Sequence, residues 1–138
     1  MKSYVLYSLE NGRIFAAGTS FSPGKLVQPG MGIIYGDGEC NPSRSYVENG
    51  QVRAMPESPG DGYDFNYTTK QWAQNPERLW HLVRLQRDRL IAETDWRVVV
   101  AMESGQALSP EWQAYRQALR DVTVQADPLA IEWPPVPA

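Results

Sequence analysis

Asn75-Pro76-Glu77-Arg78-Leu79-Trp80-His81-Leu82-Val83-Arg84-Leu85-Gln86-Arg87-Asp88-Arg89-Leu90-Ile91-Ala92 is the stretch on which the architecture turns. Asparagine, proline and glutamate in succession supply an N-cap, a ring that fixes φ at the first helical position, and an acid in the electropositive first turn. Leu79, Leu82, Val83 and Leu90 then share one face, which predicts a helix over residues 76–95. Trp80 and Ile91 lie with Arg84 and Arg87 on an adjoining face, so the helix is apolar over more than a narrow stripe and suited to contact two things.

Toward the C-terminus, the run Arg97-Val98-Val99-Val100-Ala101-Met102 leads to the breaker Ser104-Gly105. Ser109-Pro110-Glu111 then repeats the cap, proline and acid order. A second helix over residues 110–123 places Trp112, Tyr115, Leu119 and Val122 on one face, suited to antiparallel packing against the first. The closing Ile131-Glu132-Trp133-Pro134-Pro135-Val136-Pro137 excludes helix and favours an extended segment that lies along a surface. An aromatic in such a tail more often docks than founds a core, which singles out Trp133.

Toward the N-terminus the composition changes. Of the eleven glycines, ten fall within residues 1–70, whereas all five tryptophans fall within 71–138. Asn11-Gly12, between Tyr4–Leu9 and Arg13–Ala17, predicts a tight hairpin turn, and Asn49-Gly50, between 44–47 and 51–55, predicts a second. Met31–Tyr35 reads as a short strand and Pro56–Gly62 as a loop. Tyr63, Phe65 and Tyr67 alternate with polar residues, and Thr68–Trp72 turns into another strand. The expected fold is α+β: a β-rich unit of antiparallel hairpins over residues 1–72, then an antiparallel helix pair with a proline-rich tail over 73–138.

Thirteen Lys plus Arg against sixteen Asp plus Glu leave a formal charge of -3, which argues against an electrostatic grip on nucleic acid or an anionic membrane. No apolar run approaches the roughly 20 residues of a membrane span, and the opening residues lack a signal peptide's apolar stretch, so a cytoplasmic protein is expected. One cysteine, Cys40, and one histidine, His81, exclude an internal disulfide and a multi-cysteine or multi-histidine metal set. Neither has a partner in sequence that would make it reactive.

Gly30-Met31-Gly32 and Gly36-Asp37-Gly38 neither lead into a helix nor carry a phosphate-binding lysine, so turn duty accounts for them. Asp37, Glu39, Asp61 and Asp64 do not fit a calcium loop. Glu93 and Asp95, two steps apart on a helix, point in different directions and make a poor acid–base pair. Asp95 is better placed to accept backbone donors where the first helix ends. No catalytic residue, metal or cofactor is expected. Trp112 and Tyr115, by their helical spacing, are core before they are contact residues.

Three motifs, the run Arg89-Leu90-Ile91-Ala92-Glu93-Thr94-Asp95-Trp96, the run Leu108-Ser109-Pro110-Glu111-Trp112-Gln113-Ala114-Tyr115-Arg116-Gln117-Ala118-Leu119-Arg120-Asp121, and the closing Ile131-Glu132-Trp133-Pro134, together resemble the C-terminal region of bacteriophage tail fibre assembly proteins, or tail assembly chaperones. The resemblance covers roughly residues 76–135. It implies a non-enzymatic protein, acting in the host bacterial cytoplasm, that binds a tail fibre or other tail component during folding and assembly. Some such proteins stay attached to the fibre. Thr94, Asp95, Trp96, Trp112, Tyr115, Arg116, Gln117, Asp121 and Trp133 are its motif positions. Asp95 and Arg116 can pair to hold the helices in register, with Trp96 and Trp133 closing the ends. The N-terminal unit departs from the pattern. Its Tyr63, Phe65 and Tyr67 offer a second docking surface, which keeps open a permanent component of the virion tail tip or baseplate, or a small carbohydrate-binding module.

Overall fold

A computed structural model describes all residues, Met1–Ala138. The chain is α+β, with antiparallel β hairpins followed by helices, in the order read from the sequence. By internal contacts it divides into two compact units, Met1–Pro59 with Asp64–Ala73, and Gly60–Tyr63 with Gln74–Ala138.

In the first unit, β1 (Lys2–Ser8) is the central strand of a three-stranded antiparallel sheet, between β2 (Ile14–Ser20) and β3 (Met31–Tyr35). β1 is covered on both faces: Val5 and Leu6 point to opposite sides of the sheet and both are enclosed. β4 (Ser45–Glu48) pairs with β5 (Gln51–Ala54), and β6 (Tyr63–Asn66) with β7 (Gln71–Gln74). Val5, Ile14 and Val47 form the core of this unit, with Tyr7, Ala17, Ile34, Cys40 and Val52 packed against it.

The two Asn-Gly pairs behave differently. Asn49 and Gly50 both have positive φ, 52° and 73°, and join Glu48 directly to Gln51, which is the two-residue turn expected. Asn11-Gly12 does not form one. A longer loop, Leu9–Arg13, closes this hairpin, with the Ser8 amide donating to the Arg13 carbonyl, and the β1–β2 register shifts at Leu6/Tyr7. Asn11 uses its side chain to accept from the Arg13 amide, as asparagine does when it substitutes for a backbone turn. Gly12 sits against β4, its carbonyl accepting from the Val47 amide. A Cβ there would strike the Val47 carbonyl oxygen. The loop is therefore fixed by docking as much as by turn preference.

In the second unit, α1 (Pro76–Ala92) begins as its sequence predicts: the Asn75 side chain accepts from the Arg78 amide at 3.2 Å. It stops earlier than expected. The chain bends at Glu93–Thr94 and continues as a separate helix, α2 (Asp95–Glu103), from the valine-rich run that sequence periodicity left without an element. α3 (Pro110–Asp121) follows and ends in a 3-10 turn, Val122–Val124. Both helices start with proline at the first helical position and an acid in the first turn, but Ser109 occupies the cap position of α3 without a side-chain cap bond. Leu79, Val83, Tyr115, Leu119 and Val122 are buried where α1, α3 and the 3-10 turn meet. Leu82 and Leu90, expected on the same face, are half-buried. α2 contributes no buried residue.

Candidate partner-binding surface

The bend between α1 and α2 creates a problem of backbone satisfaction. A helix ends with carbonyls that have no partner of their own, and here the chain turns away at once. The Thr94 amide donates to the Ile91 carbonyl at 3.0 Å, and Arg116, from the middle of α3, adds a charged donor to it. Its Nη1 donates to the Ile91 carbonyl at 3.2 Å, to Thr94 Oγ1, and to Asp95 Oδ1 at 2.9 Å. Thr94 Oγ1 in turn donates to the Ile91 carbonyl at 2.7 Å. Thr94 is the one buried polar residue, 5% exposed, and its hydroxyl is fully committed, as a buried hydroxyl must be. The Arg116 side chain is 15% exposed, while Asp95 remains 60% exposed. Asp95 accordingly does not serve the backbone donors at the helix end, as expected from sequence. Its carboxylate takes the arginine instead.

Thr94, Asp95 and Arg116 are thus a clamp that fixes the corner against α3. Tyr115, beside Arg116, turns inward and is 5% exposed. On the outer side, the Gln117 amide donates to both carboxylate oxygens of Asp121 at 3.1 Å and accepts from Arg120 Nη2 at 2.9 Å. These residues decorate α3 one turn apart and bury nothing.

With the corner fixed, α2 projects Trp96, Val99, Val100 and Met102 into solvent, between 49% and 75% exposed. Trp96, Val99 and Val100 are at i, i+3 and i+4, hence on one side of the helix. Exposure of this much apolar surface on one short element marks an interaction site more often than a solvated face. Arg97 orders its centre. Its guanidinium carbon lies 3.8 Å from the Trp112 ring centroid and 4.5 Å from that of Trp96, so the cation rests on both rings. Trp112 is further held edge-on to Tyr115, with centroids 5.6 Å apart. The exposed Trp96 ring is thereby pre-oriented through Arg97 and Trp112 on the buried Tyr115, which lowers the entropy cost of using it as an anchor. Arg97 carries no signal in the linear motif, because its two partners lie one and fifteen residues away.

Trp133 is half-buried. The segment before it is closed by Gln125, whose amide donates to the Glu132 carbonyl at 3.1 Å while its oxygen accepts from the Glu132 amide at 2.9 Å. This side-chain pairing reproduces a rung of a β ladder and fixes the tail at the residue preceding Trp133.

The N-terminal aromatics are arranged otherwise. Phe65 is the centre of a cluster, with its ring 5.1 Å from Tyr67, 5.5 Å from Tyr46 and 5.4 Å from Trp72. The Trp72 indole donates to the Pro56 carbonyl at 2.8 Å. Tyr63 makes no ring contact with this cluster and falls in the second unit. Phe65 and Tyr67 thus pack on their neighbours. Cys40 is half-buried; burial first, and the Asp37 carboxylate second, push its thiol up. His81 is exposed on α1. No three His, Cys, Asp or Glu side chains converge as a metal set, and no helix is long and apolar enough to cross a membrane.

No curated protein and no solved structure matches the chain. A family model does, over the part of the chain that builds the corner and the exposed face. Residues 80–138 match the family described as phage tail assembly chaperone protein, so the likeness read from the motifs holds over the C-terminal region and supports a role in phage tail assembly.

Proposed function

We propose that this protein binds a phage tail fibre or another tail component in the host cytoplasm and assists its folding or assembly, without catalysing a reaction. The observation that carries this reading is the pre-oriented apolar face of α2, Trp96 with Val99 and Val100, inside the region that matches the family. A chaperone must cover apolar surface that its client has not yet buried, and a small face organised around one aromatic anchor is suited to that. The Arg116 clamp explains how the face stays presented: it spends the motif's polar residues on holding the corner open.

Co-expression with the tail fibre protein of the same phage tests the reading. The wild-type chain should co-purify with the fibre protein and raise its soluble yield, and Val100→Asp should lose both while melting at the parental temperature. An unchanged soluble yield with the wild-type chain and no co-purification would refute it. Recovery of the chain at fixed stoichiometry from purified virions would instead assign it to the finished tail.

A further inference from the structure

The apolar face is only one half of a longer surface. Trp96, Arg97, Val100, Ala101, Leu108 and Trp112 border a cleft between α2 and the start of α3. On the other side of Leu108 a second cleft runs along α3, lined by Leu108, Pro110, Gln113, Arg116, Gln117 and Arg120 with Ala114. The two meet at Leu108, which lines both. Their chemistry differs in degree: the first sets Arg97 between Trp96 and Trp112 among aliphatic residues, with Ser104, Gln106 and Ser109 at its edge, while the second holds two arginines and two glutamines, and neither is lined by an acid.

The charge of the second cleft resides chiefly in Arg120. Arg116 already has the Asp95 carboxylate, at 2.9 Å. Arg120 has only the neutral Gln117 oxygen, and no carboxylate pairs with it. An arginine held by a neutral acceptor keeps unused donors in fixed directions and suits a carboxylate arriving from outside. Gln113, whose amide donates to the Leu108 carbonyl, keeps its own oxygen turned away from that bond, and its backbone tether fixes the wall of the cleft.

Resting on the proposed function, we infer that the surface takes a segment of the tail partner in which apolar residues adjoin acidic ones, the apolar side chains on Trp96, Val100 and Trp112, the carboxylates at Arg120. Charge complementarity selects this occupant. A basic segment would meet Arg97 and Arg120, neither of which has a carboxylate partner, and a purely apolar one would leave the α3 cleft uncovered. Arg116, engaged by Asp95, sets the position of the cleft, and Arg120 reads the incoming charge.

Two synthetic peptides test the inference on the full chain without knowledge of the natural partner, one with two leucines followed by two aspartates, the other with asparagines in their place. In NMR titrations both should shift the Trp96 and Trp112 indole N–H signals, and the aspartate peptide should bind about threefold tighter at low salt, a preference of the size exposed ion pairs give. Arg120→Glu should erase or invert that preference and leave the indole shifts in place, and Trp96→Ala should weaken both peptides alike. Equal binding of the two peptides, or a preference that survives Arg120→Glu, would overturn the inference. Because the peptides are not the tail fibre protein, this result is independent of co-purification: loss of fibre binding with the peptide preference intact removes the functional reading alone.

Discussion

Arg116 and Leu119 stand one turn apart on α3 and do different work, and substitutions separate the two. Leu119 is fully enclosed, so Leu119→Ala should cost about 2–5 kcal/mol, the usual range for a truncated core leucine. Leu82, half-buried, should cost about 1–2 kcal/mol on the same apolar-area argument. Arg116→Ala removes a charged donor from the Ile91 carbonyl and Thr94 together, and should cost about 1.5–3 kcal/mol in urea unfolding. Arg116→Lys should restore only part, since one ammonium cannot reproduce the guanidinium geometry. Parental stability for Arg116→Ala would show that the corner holds without its clamp. Cys40, with its thiol pushed up by burial, should alkylate at pH 8 more slowly than a cysteine in an unfolded peptide, and at the peptide rate once denatured. Below the ordinary thiol pKa this burial has no effect on stability, and as pH rises beyond it the burial that favours the neutral thiol costs stability.

The elements show which signals in a sequence are decisive. α1 was legible because Asn75-Pro76-Glu77 marks its start and its apolar residues keep a helical period. Asn75→Ala should therefore cost about 1 kcal/mol, whereas Ser109→Ala, at a cap position without a cap bond, should be close to neutral. Thermal melts of the two variants check the contrast. α2 was not legible. Its three consecutive β-branched valines suit a strand as well as a helix, and the i, i+3, i+4 spacing of Trp96, Val99 and Val100 covers too short a run to decide between them. The Asp95–Arg116 pair was legible from the motifs and is formed, but the α1–α2 bend was hidden: that α1 stops at Ala92 with Thr94 buried beside Arg116 depends on contacts from α3. The Asn49-Gly50 turn could be read because two adjacent residues determine it, but the Asn11-Gly12 loop depends on docking against Val47, which no local pattern shows. The Gln125–Glu132 pairing spans seven residues and belongs to no motif. Gln125→Ala should raise amide exchange at Glu132 and Trp133 while leaving the helices protected. Equal protection in that variant would mean the tail is held by Trp133 alone.

For the whole molecule, the fold class and order of elements could be read from residue patterns, and the motif positions from their likeness to a family. The division of those positions into enclosed and exposed ones required coordinates. Thr94, Tyr115 and Arg116 prove to be enclosed or nearly so, and Trp96, Gln117 and Asp121 exposed. A binding surface on one helical corner predicts that partner binding and stability respond to different residues. Leu119→Ala should lower the melting temperature and leave the affinity of the folded fraction unchanged. Val100→Asp and Trp96→Ala should do the reverse, at about 1–4 kcal/mol of binding for the aromatic anchor. The decisive measurement is therefore quantitative co-purification of the tail fibre protein with the wild-type chain, Trp96→Ala and Leu119→Ala, normalised to folded protein at a temperature where all three are native. Strong recovery with the wild type and Leu119→Ala, and at least tenfold less with Trp96→Ala, is the expected pattern. Equal recovery with Trp96→Ala would contradict the placement of the binding surface on α2.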